Sequence, residues 1–284
     1  MSAVRRHLTL VAALVLVLAI GIALGAGPLS HERLLPTAAA PVPTAPEGVA
    51  GPEADAVAAE VAPALLRGRL AGRGVALLST PGVGRDTLTA LADDVERAGG
   101  TVTARWSAGR SLVGPGEKTL VDTLGEQLLE QLDGRGADAD SASYDRMGQL
   151  VATAIATRTP EGAVAGPDAL TVRQSLDAAS LLRVDRDEPR RSPLLLVVLG
   201  DDLDDHVVEG LVTGLVARTS GVVVAGSEGA ADLDVLASAE RLTTVDGVEG
   251  ELGRLAAVLA LSRVEDQPGG SFGASGSDSA LPLG

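Results

Sequence analysis

The stretch that decides the fold runs from Leu194 to Ala225: LLLVVL (194–199), GDDLDDH (200–206), VVEGLVTGLVARTSG (207–221) and VVVA (222–225). Each end is a short, continuously apolar run, bounded by Pro193 and Gly200 on one side and by Gly221 and Gly226 on the other. Such runs suit strands buried on both faces of a sheet. Between them, Val207, Leu211, Val212 and Leu215 recur at helical spacing within Leu203 to Arg218. Strand, helix and strand in that order make a crossover between parallel neighbours.

Working outward, Val75 to Ser79 (VALLS) is a third apolar run. A helix over Arg85 to Ala98 follows, with Leu88, Leu91, Ala92 and Val95 on one face and a stop at Gly99-Gly100. Thr101 to Trp106 (TVTARW) and Arg241 to Val245 (RLTTV) carry Arg and Thr and read as strands nearer the edge. Helices are predicted at Thr119 to Leu132, Ser141 to Arg158, Ala169 to Leu182 and Glu249 to Arg263, with a short one within Asp55 to Arg69 limited by Pro63. The alternation predicts one open, mostly parallel α/β domain of about five strands, spanning residues 55–264. Residues 265–284 are Gly- and Ser-rich and read as a tail.

The amino-terminal end has a different character. Leu8 to Ala26 is apolar apart from Thr9, Gly21 and Gly25, and Arg5, Arg6 and His7 precede it. As a helix it would reach roughly 28 Å, close to the thickness of a bilayer core. No basic cluster closely follows it, so residues 1–26 are expected to be a single transmembrane anchor with the arginines cytoplasmic and the body outside. A cleaved signal peptide is the rival, with Ala23-Leu24-Gly25 as its small-residue site; the length of the run favours the anchor. Gly21 and Gly25 make a GxxxG step that would let two anchors pack into a homo-oligomer. Residues 27–54 form a Pro- and Ala-rich stalk, with six prolines from Pro28 to Pro52.

Composition limits the chemistry. Hydrophobic residues are 45% of the chain but aromatics only 1%, so the core is built from Val, Leu, Ile and Ala. Lys118 is the only lysine among 23 Lys plus Arg, a bias expected of a GC-rich genome. A net charge of −15 argues against nucleic acid as a partner. With no cysteine there is no disulfide, thiolate metal site or thiol nucleophile, and Met147 is the only methionine besides Met1. GxSxG, HExxH and DxDxDG are absent from the sequence, and an enzyme is not expected.

Three stretches invite a chemical reading. Asp201, Asp202, Asp204, Asp205 and His206 directly follow a strand, where open α/β sheets gather ligands, and their oxygens and imidazole could hold a cation. The plainer reading, preferred here, makes Asp202 a helix N-cap and Asp205 a partner of the helix dipole. Ser79 to Arg85 (STPGVGR) offers turn N–H groups but lacks GxGxxG spacing, and a plain connection is favoured. In Gly114 to Thr119 (GPGEKT) a glutamate displaces the lysine from phosphate-loop spacing.

Five segments taken together resemble one family. They are LAIGIALGAGPL (18–29), GRGVALLSTPGV (72–83), AGGTVTARW (98–106), TVDGVEGELGRLAAVLAL (244–261) and PGGSFGASGSDSALP (268–282). Spread over roughly the whole chain, they resemble the actinobacterial copper transporter family typified by mycobacterial copper transport protein B. The resemblance implies copper homeostasis at the cell envelope, with copper ion as the transported species and an outer-membrane location among the options. It also implies a longer helical segment after the anchor, where this chain has Pro-rich residues 27–52. A membrane barrel needs many strands of about ten alternating residues, and the strands here are short and continuously apolar. An extracytoplasmic binding or scaffold module without transport activity is the alternative.

Overall fold

The computed structural model describes residues 51–283, apart from 186–188, 231–232, 234–235 and 238–241. The anchor and nearly all of the stalk lie outside the described residues. In chain order the elements are α1 (Pro52–Leu66), β1 (Gly74–Ser79), α2 (Arg85–Arg97), β2 (Thr101–Ala108) and the single turn α3 (Arg110–Val113). Next come α4 (Lys118–Gln131), α5 (Ser143–Ile155), β3 (Ala163–Val164), α6 (Pro167–Ala178), β4 (Leu182–Val184), β5 (Arg190–Arg191) and β6 (Leu194–Val198). The chain closes with α7 (Asp205–Arg218), β7 (Gly221–Ala225), β8 (Thr243–Val245), α8 (Glu251–Arg263) and β9 (Gly270–Phe272).

Among the described residues the main sheet has seven strands, in the order β4-β2-β1-β6-β7-β8-β9. All its neighbours are parallel except the edge pair β2/β4. β3 and β5 make a separate antiparallel ribbon. The five predicted strands are all present, and β2 and β8 each stand one place in from an edge. β4 and β9 are the edges that the sequence pattern did not reveal.

Side chains from the central strands alternate between two cores, as the period of two requires. Ala76, Leu78, Leu195, Val197, Val222 and Val224 join the core beneath α4 to α7. Val75, Leu77, Leu194, Leu196, Val198 and Val223 join the core beneath α1, α2 and α8. Apolar residues on both faces explain why β1, β6 and β7 read as continuous runs.

Both ends of the domain differ from their sequence reading. Pro52, expected to close the stalk, opens α1 at a first-turn position where its missing N–H costs nothing. Asp55 on α1 then accepts a hydrogen bond from Leu252 N at 2.9 Å, capping α8 from across the domain. Gly250, the residue at α8's own N-cap, has no side chain with which to do this.

At the other end, residues 265–283 are not a free tail. β9 pairs with β8, and Phe272, 5% exposed, enters the second core. The loop beyond β9 is fixed by Asp246, which accepts from Ser275 N at 3.0 and 3.1 Å and also from Ser275 Oγ.

A second buried acid in that half is Asp94 on α2, 2% exposed. Arg254 Nε lies 3.3 Å from its Oδ2, and Arg97 comes within 2.7 Å of Oδ1 without hydrogen-bond alignment. Burial pushes its carboxyl above the usual value, and the two arginines oppose that shift.

Candidate functional site

β1 is the strand from which the connections part: β2 lies on one side of it and β6 on the other. In an open α/β sheet the crevice at such a switch point, outside the carboxyl ends of the strands, is where ligands usually bind. Here it is formed by the loops after β1 and β6, and the sequence had marked both.

The two loops are packed backbone to backbone. Thr80 N donates to Val198 O at 3.0 Å, and Gly200 N donates to Thr80 Oγ1 at 2.7 Å. A Cβ at Gly200 would stand 2.1 Å from Pro81 O, so only glycine fits. Thr80 thus spends its amide and hydroxyl on the neighbouring strand and loop, while Ser79 Oγ donates to Trp106 O at 3.3 Å. Beneath it lies a cavity of about 30 Å³ walled by Leu78, Val151, Val197, Val208 and Leu211.

In the acidic stretch, Asp204 is the N-cap of α7, its Oδ1 accepting from Val207 N at 3.1 Å. The cap was expected at Asp202, which instead takes a left-handed backbone with φ 59°. Asp201, Asp202, Asp205 and His206 are exposed and Asp204 is half-buried. Among the described residues no group of three His, Asp or Glu side chains converges as a metal ion would require. Asp204 also reaches electrostatically toward Tyr144, whose hydroxyl donates to Gly114 O at 3.2 Å. Burial pushes the Tyr144 phenol up, and the charges of Asp204 and Glu117 add to the shift.

Lys118 opens α4 after a tight turn at Pro115–Glu117. Its Nζ donates to Ser143 Oγ at 2.8 Å and lies 3.6 Å from Asp122. Asp122 is also 2.6 Å from Arg146. The Ser143 hydrogen bond, with Lys118 and Arg146 beside it, holds the Asp122 carboxyl below its ordinary value. Lys118 therefore ties α4 to α5, and GPGEKT forms no phosphate cradle.

Sequence reasoning missed a gathering of four arginines on the body. Arg135, Arg158, Arg191 and Arg218 line one cavity of about 600 Å³. Their spacing of tens of residues carries no motif, and only the fold brings them together.

Comparison with known proteins concerns the chain as a whole. The family model described as "Copper transport outer membrane protein, MctB" matches residues 1–283. Proteins named "Copper transporter MctB" from Mycobacterium bovis and Mycobacterium tuberculosis are each 25% identical over 291 residues, covering 92% of this chain and 92% of theirs. The match leaves out neither the amino-terminal segment nor the β9 end, and on its extent the chain belongs to the MctB family of copper transport outer membrane proteins.

Proposed function

We propose that this protein serves copper transport and homeostasis at the cell envelope. The observation that carries the reading is the family match over residues 1–283, joined by relatives named as copper transporters over 92% of both chains. The finer parts of the proposal rest on the sequence. Leu8 to Ala26 is a single anchor, the α/β body stands outside the cytoplasm, and the copper ion is cargo rather than a resident cofactor. Met147 is fully buried and the chain lacks cysteine, so the body offers no obvious soft ligands for Cu(I). Conduction is accordingly assigned to an assembly of anchors or to a partner, with no catalytic step.

Deleting the gene is expected to raise cell-associated copper and copper sensitivity, and complementation to reverse both. Metal content measured in the deleted and complemented strains checks this. Unchanged copper content with unchanged tolerance would remove the transport reading and leave the anchored scaffold. The closed switch-point crevice favours that second reading for the body itself, since the usual ligand position is taken up by Pro81 and Gly200.

Topology has its own test. A reporter fused after Pro52 should be active only if it works outside the cytoplasm. Activity of a reporter confined to the cytoplasm would overturn the orientation.

A further inference from the structure

The arginine-lined cavity lies between helix ends at the amino-terminal edge of the sheet, opposite the switch point. Arg135 follows α4, Arg158 follows α5, Arg191 ends β5 just before β6, and Arg218 is the last residue of α7. Against these four guanidiniums the cavity wall has, among the described residues, one carboxylate, Asp168. Arg135 already takes both its oxygens, at 3.0 and 3.1 Å. Among the described residues, the other three guanidiniums of the lining face no carboxylate there, in a chain whose net charge is −15.

The way those three are held matters. Arg158 donates to Ala217 O, and Arg191 Nη1 donates to Thr153 O at 3.3 Å. Carbonyl partners aim a guanidinium without neutralising it. No carboxylate among the described residues lies within ion-pair distance of Arg158, Arg191 or Arg218. Arg191 Nε is buried with no hydrogen-bond partner, a donor left unspent. Gly166 and Pro167, which start α6, line the same cavity, and Gly166 supplies no side-chain cap to the helix N–H groups.

Gathering like charges in a partly enclosed space costs free energy unless an anion answers them. A guanidinium matches two oxygens of a phosphoryl group at once, and a cavity of about 600 Å³ falls in the range that small ligands occupy. We propose that this cavity is a binding site for a phosphoryl oxyanion, either a free diphosphate or the phosphodiester of a lipid headgroup. Arg158, Arg191 and Arg218 contact its oxygens, and Arg135 is held back by Asp168. The site is separate from any copper path, and its test does not depend on the copper reading.

The purified full-length protein is titrated calorimetrically, at fixed ionic strength, with sodium pyrophosphate and separately with glycerophosphoglycerol, a soluble phosphodiester headgroup. Saturable binding of one probe is expected, with a dissociation constant of about 1 mM or tighter. Tighter pyrophosphate binding identifies a free diphosphate as the source, and tighter phosphodiester binding identifies the headgroup. Among the described residues Arg218 makes no side-chain hydrogen bond or ion pair, so Arg218→Glu should keep the wild-type unfolding temperature without ligand yet bind at least about tenfold more weakly. Arg67→Glu, the same charge change on the exposed residue after α1, should bind as the wild type does. Should Arg218→Glu fail to fold, Arg218→Gln is read instead, with the same tenfold expectation. Absence of saturable binding with both probes, or equal weakening by the substitutions at 218 and 67, would overturn the proposal.

Discussion

Gly214→Ala is expected to destabilise the protein by about 3 kcal/mol, although alanine is intrinsically the better helix former. Gly214 faces α5, where an added Cβ would lie 2.1 Å from Asp145 O, 2.6 Å from Gln149 N and 2.8 Å from Gly148 C. All three are backbone atoms of a helix and cannot rotate aside. Gly148 answers from α5, its own Cβ position being 2.2 Å from Leu211 O. The two helices therefore touch through their backbones, and one methyl group must force them apart. Gly125 on α4 is the internal contrast. Its Cβ would meet nothing nearer than Arg146 Nε at 3.4 Å. There the entropic gain should prevail, and Gly125→Ala should be neutral or stabilising by up to about 1 kcal/mol. Thermal unfolding of both variants decides the matter, since a domain of this size should shift its thermal midpoint by roughly 2–4 °C per kcal/mol. Equal stabilities would show that α5 and α7 are free to separate.

That contact also shows where the sequence was legible. Nothing local to the glycines of VVEGLVTG says that another backbone will lie against them. What could be read were elements whose own residues decide their state. LLLVVL and VVVA are short apolar runs closed by Gly or Pro, which suits buried strands, and helix α7 follows from Val207, Leu211, Val212 and Leu215. β4 and β9 are different, being three residues each. LRV and GSF become strands only because β2 and β8 present unpaired edges to them.

The same distinction governs the site. Asp201 to His206 are neighbours in sequence, but no three of these side chains converge in the described structure, and Asp204 takes a defined role as a cap. Arg135, Arg158, Arg191 and Arg218 have the opposite history. Each sits at or just beyond the end of an element, where a single arginine ordinarily reads as a favourable helix-end or surface charge. Convergence is a property of the α4–α7 packing, and one-dimensional spacing does not encode it.

Phe272→Ala should cost about 3–5 kcal/mol, a loss typical of a large ring removed from a packed core. Phe272 is the one phenylalanine in a chain whose cores otherwise rely on aliphatic side chains. Its ring lies under the Arg263 guanidinium at 5.5 Å, and its carbonyl accepts from Asp246 N at 3.0 Å. Phe272→Leu keeps most of the volume and should lose less than about 1.5 kcal/mol. Truncation after Glu265 should be worse than either substitution. It strips the edge strand from β8, opens the core beneath α8 and leaves the 8%-exposed Asp246 carboxylate without Ser275. A dispensable Gly/Ser-rich tail predicts the reverse order, with truncation silent. Chemical denaturation of the three variants separates the two accounts, because a truncated chain as stable as the full one would mean that β9 adds nothing to the fold. The glycines that make this segment look disordered are what its path requires: Gly270 and Gly273 take φ of 103° and 112°, and a side chain at Gly273 would collide with Asp246.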